Sequence, residues 1–506
     1  MRRFSFAAKI ACALLLAWAA DRLFLFEYPG ANLGYYALAL LAAAAALRPA
    51  ILRSRQGLAG LALALGAAIM LIEDPSLLAA ALYWCALAFA VLAPRIARFD
   101  DAWRWAKRLL LHGLTVAVAP LLDMGRARKA KARGGRARPI RYLPLLALPV
   151  IGSLIFFLLF ASANPLIGDA LARLNFGLFA SLFSAPRLVV WAVGFWLAWA
   201  MLRPMALLPL RPAREDGPGM TLPGVSVASV TLSLIAFNAL FAVQNALDIA
   251  FLWSGAPLPE GVTLADYAHR GAYPLIATAL LAGLFVLVTM KPGSETAARP
   301  LIRQMVTLWV AQNILLVASS MLRTFDYVDA YSLTRLRIAA LIWMGLVALG
   351  LALICVRLWR GRSDAWLINA NAAAALLVLA GCSVVDLGRM AAAWNVRHAR
   401  EAGGRGAALD LCYLNGLGPS ALLPIIELEG RTRDRALKAR LAWSRNAMMD
   451  RMEPVLADWH GWTWRNDRRM RTAERLIAEK RLPRYRADRR PCTGIKQQPL
   501  TADTAR

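Results

Sequence analysis

Histidine is scarce in this chain. There are four, His112, His269, His398 and His460, and no two are close in sequence. The six cysteines form no CxxC pair and no Cys/His cluster with zinc spacing. HExxH, GxSxG, a Walker loop and a dinucleotide glycine pattern are also missing. These absences remove the common metal, serine-nucleophile and nucleotide chemistries, so no catalytic residue, metal or cofactor is expected. The chain also lacks the alternating apolar–polar strands of a membrane barrel, and it has no paired Gly/Pro-broken spans of the inverted-repeat transporter kind. Acidic residues are in the minority, 31 Asp and Glu against 59 Lys and Arg, for a net charge of +28.

What is abundant is hydrophobic residues, 59% of 506, with a mean hydropathy of +0.50. They are massed in runs separated by short polar joints. A bilayer core about 30 Å thick needs about 20 apolar helical residues, so the runs read as membrane helices. The expected class is all-α, a polytopic membrane protein with about eleven spans: 8–26, 33–47, 57–72, 76–93, 143–161, 187–208, 224–246, 272–290, 301–322, 338–358 and 365–385. The first is read as a retained span because no small-residue cleavage site precedes Asp21. Cys12, Cys85, Cys355 and Cys382 fall inside these runs as small core residues.

The positive charge then has a membrane explanation, not a nucleic-acid one. With the N-terminus cytoplasmic, the inside segments carry 28 Lys and Arg and the outside connections 7. An odd number of spans sends the tail to the periplasm. The tail is itself basic, but long domains translocate largely regardless of charge. Four parts follow. Residues 1–125 hold four spans and an interfacial helix, with Ile96, Phe99, Trp103, Ala106 and Leu110 on one face and Arg95, Arg98, Arg104, Lys107 and Arg108 on the other. Residues 126–142 are a basic cytoplasmic linker, whose eight Lys and Arg in 126–141 are expected to meet anionic lipid. Residues 143–389 form a seven-span core, and 390–506 a small helical extracytoplasmic tail, a possible surface for a protein partner. Cys412 and Cys492 in the tail are either a disulfide or two free thiols.

The polar residues that could carry function gather around RTFDYVDAYSLTRLRIAALIW, 323–343, a charged aromatic connection between two apolar runs. Charge near hydrocarbon is costly unless paired or wet. Asn238, Gln244, Asn245 and Asp248 share one helical face, and Gln312, Ser319 and Arg323 share another at i, i+7 and i+11. Asp266, Arg270, Asp326, Tyr327, Asp329, Tyr331, Arg335, Arg337, Asp386 and Arg389 fall at the same expected side. Two readings stand. Either these groups line one outward-open polar depression, or they hold helices together and meet water at the interface. Asn369 and Asn371 near the other end suit helix–helix hydrogen bonds.

Several stretches resemble a bacterial family of polytopic membrane proteins known only as a domain of unknown function, of the DUF4173/4153 type. They are FNALFAVQNALDIAFLWSG, LPEGVTLADYAHRGAYPLIATALLAG, RTFDYVDAYSLTRLRIAALIWM, AAAWNVRHAR and DLCYLNGLGPSALLPIIEL. The likeness covers about 150–425. The family's usual Glu in the loop helix stands here as Asp266, and its polar position in the YVDAY stretch as Asp329. The resemblance implies a bacterial inner-membrane location and brings no activity, substrate or cofactor. The functional expectation is solute or lipid binding or transport through the depression. The alternative is a non-catalytic envelope scaffold or signalling partner.

Overall fold

A computed structural model describes residues 6–96, 99–116, 184–204, 226–253, 281–290 and 294–482, with isolated positions 120, 123 and 278. The basic linker, the expected span at 143–161, Asp266, His269, Arg270 and Cys492 lie outside the described residues. Among the described residues the chain is helical and contains no strand. Among the described residues, seven helices are long and apolar enough to cross a membrane. They are α3 (Arg55–Glu73), α4 (Leu77–Leu92, continued by a 3-10 turn to Arg95), α6 (Ala185–Leu202), α7 (Val227–Asp248), α8 (Pro300–Tyr331), α9 (Arg335–Arg360) and α10 (Asp364–Val384). These seven do not confirm the expected count of eleven, since the expected span at 143–161 and most of 272–280 lie outside the described residues. α1 (Phe6–Phe24) carries Lys9, Asp21 and Arg22, and α2 (Asn32–Leu47) has only 16 residues.

The chain divides into two units. The first is 1–69, 81–99 and 107–208; the second is 70–80, 100–106 and 209–506. In the first, small residues let helix backbones approach closely. A Cβ on Gly60 would lie 2.8 Å from Ala90, joining α3 to α4, and one on Gly194 would lie 3.0 Å from the Ala20 Cβ, joining α6 to α1. The charge that breaks α1's apolar run is neutralised there, because Arg187 of α6 reaches the Asp21 carboxylate at 2.9 Å. The amphipathic helix α5 is described over Ala102–Val116. Its Trp103, Leu110 and Leu114 are exposed, whereas Trp105 and His112 are buried. Burial, with Arg48 and Arg95 nearby, pushes the His112 imidazole down to about 4 and keeps it neutral.

The second unit has two apolar cores. One is shared by α7, the helical segment 281–289, α8, α9 and α10, with Trp309, Val310, Met344 and Leu351 at its centre. The other belongs to the tail. After α10 come α11 (Leu387–His398), a short helix Leu411–Gly416, α12 (Leu422–Arg431), α13 (Arg435–Ala457) and α14 (Trp464–Glu479). Their apolar faces close on Leu414, Leu422, Ile425, Ile426, Leu441 and Met449, joined by Val328, Leu333 and Ile338 from the α8–α9 corner. The described tail is thus helical, and it belongs to the same unit as α7–α10.

The α8–α9 corner corrects the expected charged connection. Helix α8 continues nine residues past Leu322, and only Ser332–Thr334 separate it from α9. Tyr327 and Tyr331, one turn apart, bring their rings to 4.8 Å. The Arg337 guanidinium lies 4.1 Å from the Tyr327 ring and donates to the carbonyls of Tyr331 (2.7 Å) and Ser332. Those carbonyls end α8 and have no intrahelical donor, so Arg337 acts as a C-terminal cap.

Candidate functional site

The expected polar groups separate into three sets. The first runs along the α7–α8 seam. Gln312 donates from Nε2 to the Asn238 Oδ1 at 2.8 Å, and Asn238 donates to the carbonyls of Leu234 and Met305. Asn245 donates to the Gln312 carbonyl at 3.3 Å, and Gln244 to Asp248 at 3.1 Å. Above them Arg323 and Asp248 form a buried ion pair, with Trp253 Nε1 on the Ser319 hydroxyl at 3.1 Å. Gln312, Ser319 and Arg323 of α8 thus each meet a residue of 238–253. Asn238 and Gln312 bond each other directly.

The second set holds the tail domain on the α8–α9 corner. The Asn395 side chain accepts from the Leu333 amide (2.6 Å) and donates to the Leu333 carbonyl (2.9 Å), closing a ring on that residue's backbone. The Arg335 amide donates to the Tyr413 hydroxyl at 2.9 Å, and its guanidinium reaches Ser420 at 3.4 Å. Asp329 and Tyr331 stay exposed at the helix end, and Asp326 is half-buried there.

The third set centres on Asp386 and was only half anticipated. Asp386 caps α11 through the Arg389 amide (2.9 Å), accepts from Ser420 (3.0 Å) and pairs with Arg469 of α14. The Arg389 side chain itself is exposed. One helical turn before Arg469, Arg465 pairs with Asp74 at 2.6 Å and donates to the Val384 carbonyl at 2.7 Å, while Arg468 pairs with Glu73. Burial raises the Asp386 carboxyl, but the Arg389 amide, the Arg469 guanidinium and the Ser420 hydroxyl outweigh it and hold it below the ordinary carboxylate range. Asp74 behaves oppositely: burial dominates and keeps it above that range despite Arg465 and Arg469. Three connections, 73–77, 332–334 and 385–386, thus meet the tail and lie on the tail's side. At the other end of the bundle Arg357 is buried against Asp364 and the Met290 carbonyl, and Asn369 accepts from the Ala102 amide at 2.7 Å.

The tail also hides Glu429 and Arg445, fully buried with their charged atoms 3.2 Å apart. Cys412 is disulfide-bonded. Glu73, Asp74, Arg465, Arg468, Arg469, Asn395, Glu429 and Arg445 were not among the expected residues. The one signal for the arginines was their i, i+3, i+4 spacing on α14, which reads equally well as a solvated face.

Apolar helices of membrane length, hydrogen-bonded along one seam and gripping a helical domain at one end, define a membrane protein with a docked tail. The chain belongs to the DUF4153 family, a domain of unknown function, whose model matches residues 59–428. The match takes in α3 and α4, which the motif resemblance leaves outside. No curated protein and no solved structure matches the chain.

Proposed function

We propose that this is a multi-pass protein of a bacterial inner membrane that presents its tail domain at the periplasmic face, as a non-catalytic scaffold or signalling partner. The observation that carries this reading is where the charges go. Asp386, Asp74 and Glu73 are spent on Arg469, Arg465 and Arg468, and the seam's deepest polar pair, Asn238 and Gln312, bond each other. A solute path would need those groups facing water. The reading keeps the N-terminus cytoplasmic and Cys412 bonded to Cys492 in the oxidising compartment. It also keeps the basic linker on anionic lipid.

The test is to undock the tail without removing it. Arg465→Ala with Arg469→Ala is expected to leave the protein inserted while reproducing the phenotype of a gene deletion. A photo-crosslinker at the exposed Arg451 is expected to give a discrete adduct that the double variant loses. Full complementation by the undocked variant, or solute flux through the purified protein in liposomes, would return the polar seam to the front as a binding or transport path.

A further inference from the structure

A cavity of about 230 Å³ lies where the end of α8 meets α11 and the loop 399–407. Its wall carries charge of both signs, Asp329 from α8 and Arg405 from the loop. Neither forms an ion pair or hydrogen bond among the described residues. The same wall carries His398, stacked on Trp394 with ring centroids 4.0 Å apart. His398 Nδ1 is 2.9 Å from the Trp394 carbonyl. A carbonyl oxygen only accepts, so Nδ1 carries a proton, and the Nδ1–H tautomer offers Nε2 as an acceptor.

The surroundings are held in place. Ser332, also in the wall, sits at φ 68°, a region that non-glycine residues occupy only when their surroundings enforce it. Arg337 on its carbonyl and Asn395 on the next residue supply that enforcement. The loop folds back because a Cβ on Gly406 would lie 2.8 Å from the His398 carbonyl oxygen, and the Gly406 amide donates to that same oxygen at 2.9 Å. Arg400 Nε closes the loop on the Gly406 carbonyl at 2.9 Å.

We propose that this cavity binds a small zwitterion, its primary ammonium between Asp329 and His398 Nε2 and its oxyanion on Arg405. Two acceptors near a donor fork match an N–H-bearing cation tied to a carboxylate or phosphate. A lone anion would meet Asp329, and a lone cation would meet Arg405. A volume of about 230 Å³ admits a molecule of amino-acid or phosphoethanolamine size and excludes a whole lipid. The site is independent of the scaffold reading, since it calls for no protein partner and no path across the membrane.

The test uses the full chain in phosphatidylcholine nanodiscs, titrated with glycine and with O-phosphoethanolamine, alongside ethylammonium and inorganic phosphate as the separated halves. Saturable binding of at least one zwitterion, at least 10-fold tighter than either half, is expected. Asp329→Asn and Arg405→Gln should each weaken it about 10-fold or more, with melting curves unchanged. Arg433→Gln, on an exposed turn outside the cavity, should leave it intact. Repeating the titration in phosphatidylethanolamine nanodiscs separates the sources. Competition assigns the site to a lipid headgroup, and unchanged affinity assigns it to a free solute. No saturable binding of either zwitterion, binding that survives both substitutions, or halves that bind as well as the joined molecule would overturn the proposal.

Discussion

Arg323 and Asp248 show what single side chains contribute at membrane depth. Both are buried, so removing the guanidinium strands a carboxylate with no water to replace it. Arg323→Ala is expected to cost about 3–5 kcal/mol, whereas Asn238→Leu, which removes neutral hydrogen bonds, should cost roughly 1 kcal/mol. Arg133→Ala in the basic linker should cost nothing measurable. Thermal unfolding in detergent ranks the three, and Arg323→Met combined with Asp248→Leu should recover most of the loss. Equal melting for all three would mean that the pair is not a structural element. Asn395 gives the corresponding case outside the bilayer. Asn395→Ala leaves the Leu333 amide and carbonyl unpaired in a buried corner, and a loss of about 2–4 kcal/mol is expected in the same assay. The two cases differed in legibility. Asn238, Gln312, Asp248 and Arg323 announced themselves, because a polar face inside an apolar run is conspicuous and its spacing fixes its direction. Asn395 sits among ordinary polar residues, and its partner is a backbone 62 residues away, for which the local pattern carries no sign.

At the scale of elements, α14 is the clamp. Arg465, Arg468 and Arg469 come off one face within five residues and reach the ends of α3 and α10. Helix existence was readable from the apolar runs in α7 to α10 and from the helical spacing of apolar residues in the tail. The extent of α8 was not, because apolar content marks where a helix is buried and not where it stops, and α8 leaves the apolar run at Leu322 while its hydrogen bonds continue. The clamp has a pH dependence whose sign follows from its carboxylates. Asp386 has a folded pKa below its unfolded one, so its contribution is present above the unfolded carboxylate value and is lost as pH falls through the folded one. Asp74 has a folded pKa above its unfolded one, so it favours docking below the ordinary value and loses that contribution as pH rises through its own. Hydrogen exchange across 464–479 is expected to quicken as pH falls below the ordinary carboxylate range. The quickening should vanish in Asp386→Asn and sharpen in Asp74→Asn, which removes the opposing group. Exchange in the wild type that slows over the same interval would mean that Asp74, not Asp386, governs the docking.

For the whole molecule, the connections that meet the tail constrain the path of the chain. Residues 73–77 and 385–386 both contact α14, so an even number of crossings must separate them. Counting 272–290 as a crossing, of which 281–289 is described as helix, the stretches between them are α4, α6, α7, 272–290, α8, α9 and α10, which is seven. Even parity calls for one more crossing between α5 and α6, and the expected span at 143–161, outside the described residues, would supply it. The parity of the crossings does not depend on the Lys and Arg bias. It makes a sharp prediction for reporter fusions. An enzyme active only in the periplasm, fused after residue 75, after residue 333 and at the C-terminus, should be active in all three places. A reporter active only in the cytoplasm should work after residue 130. Blocking periplasmic thiol oxidation should then expose Cys412 and Cys492 together to maleimide. Activity after 333 but not after 75 would mean that 143–161 does not cross, and α14 could not then hold both ends at once.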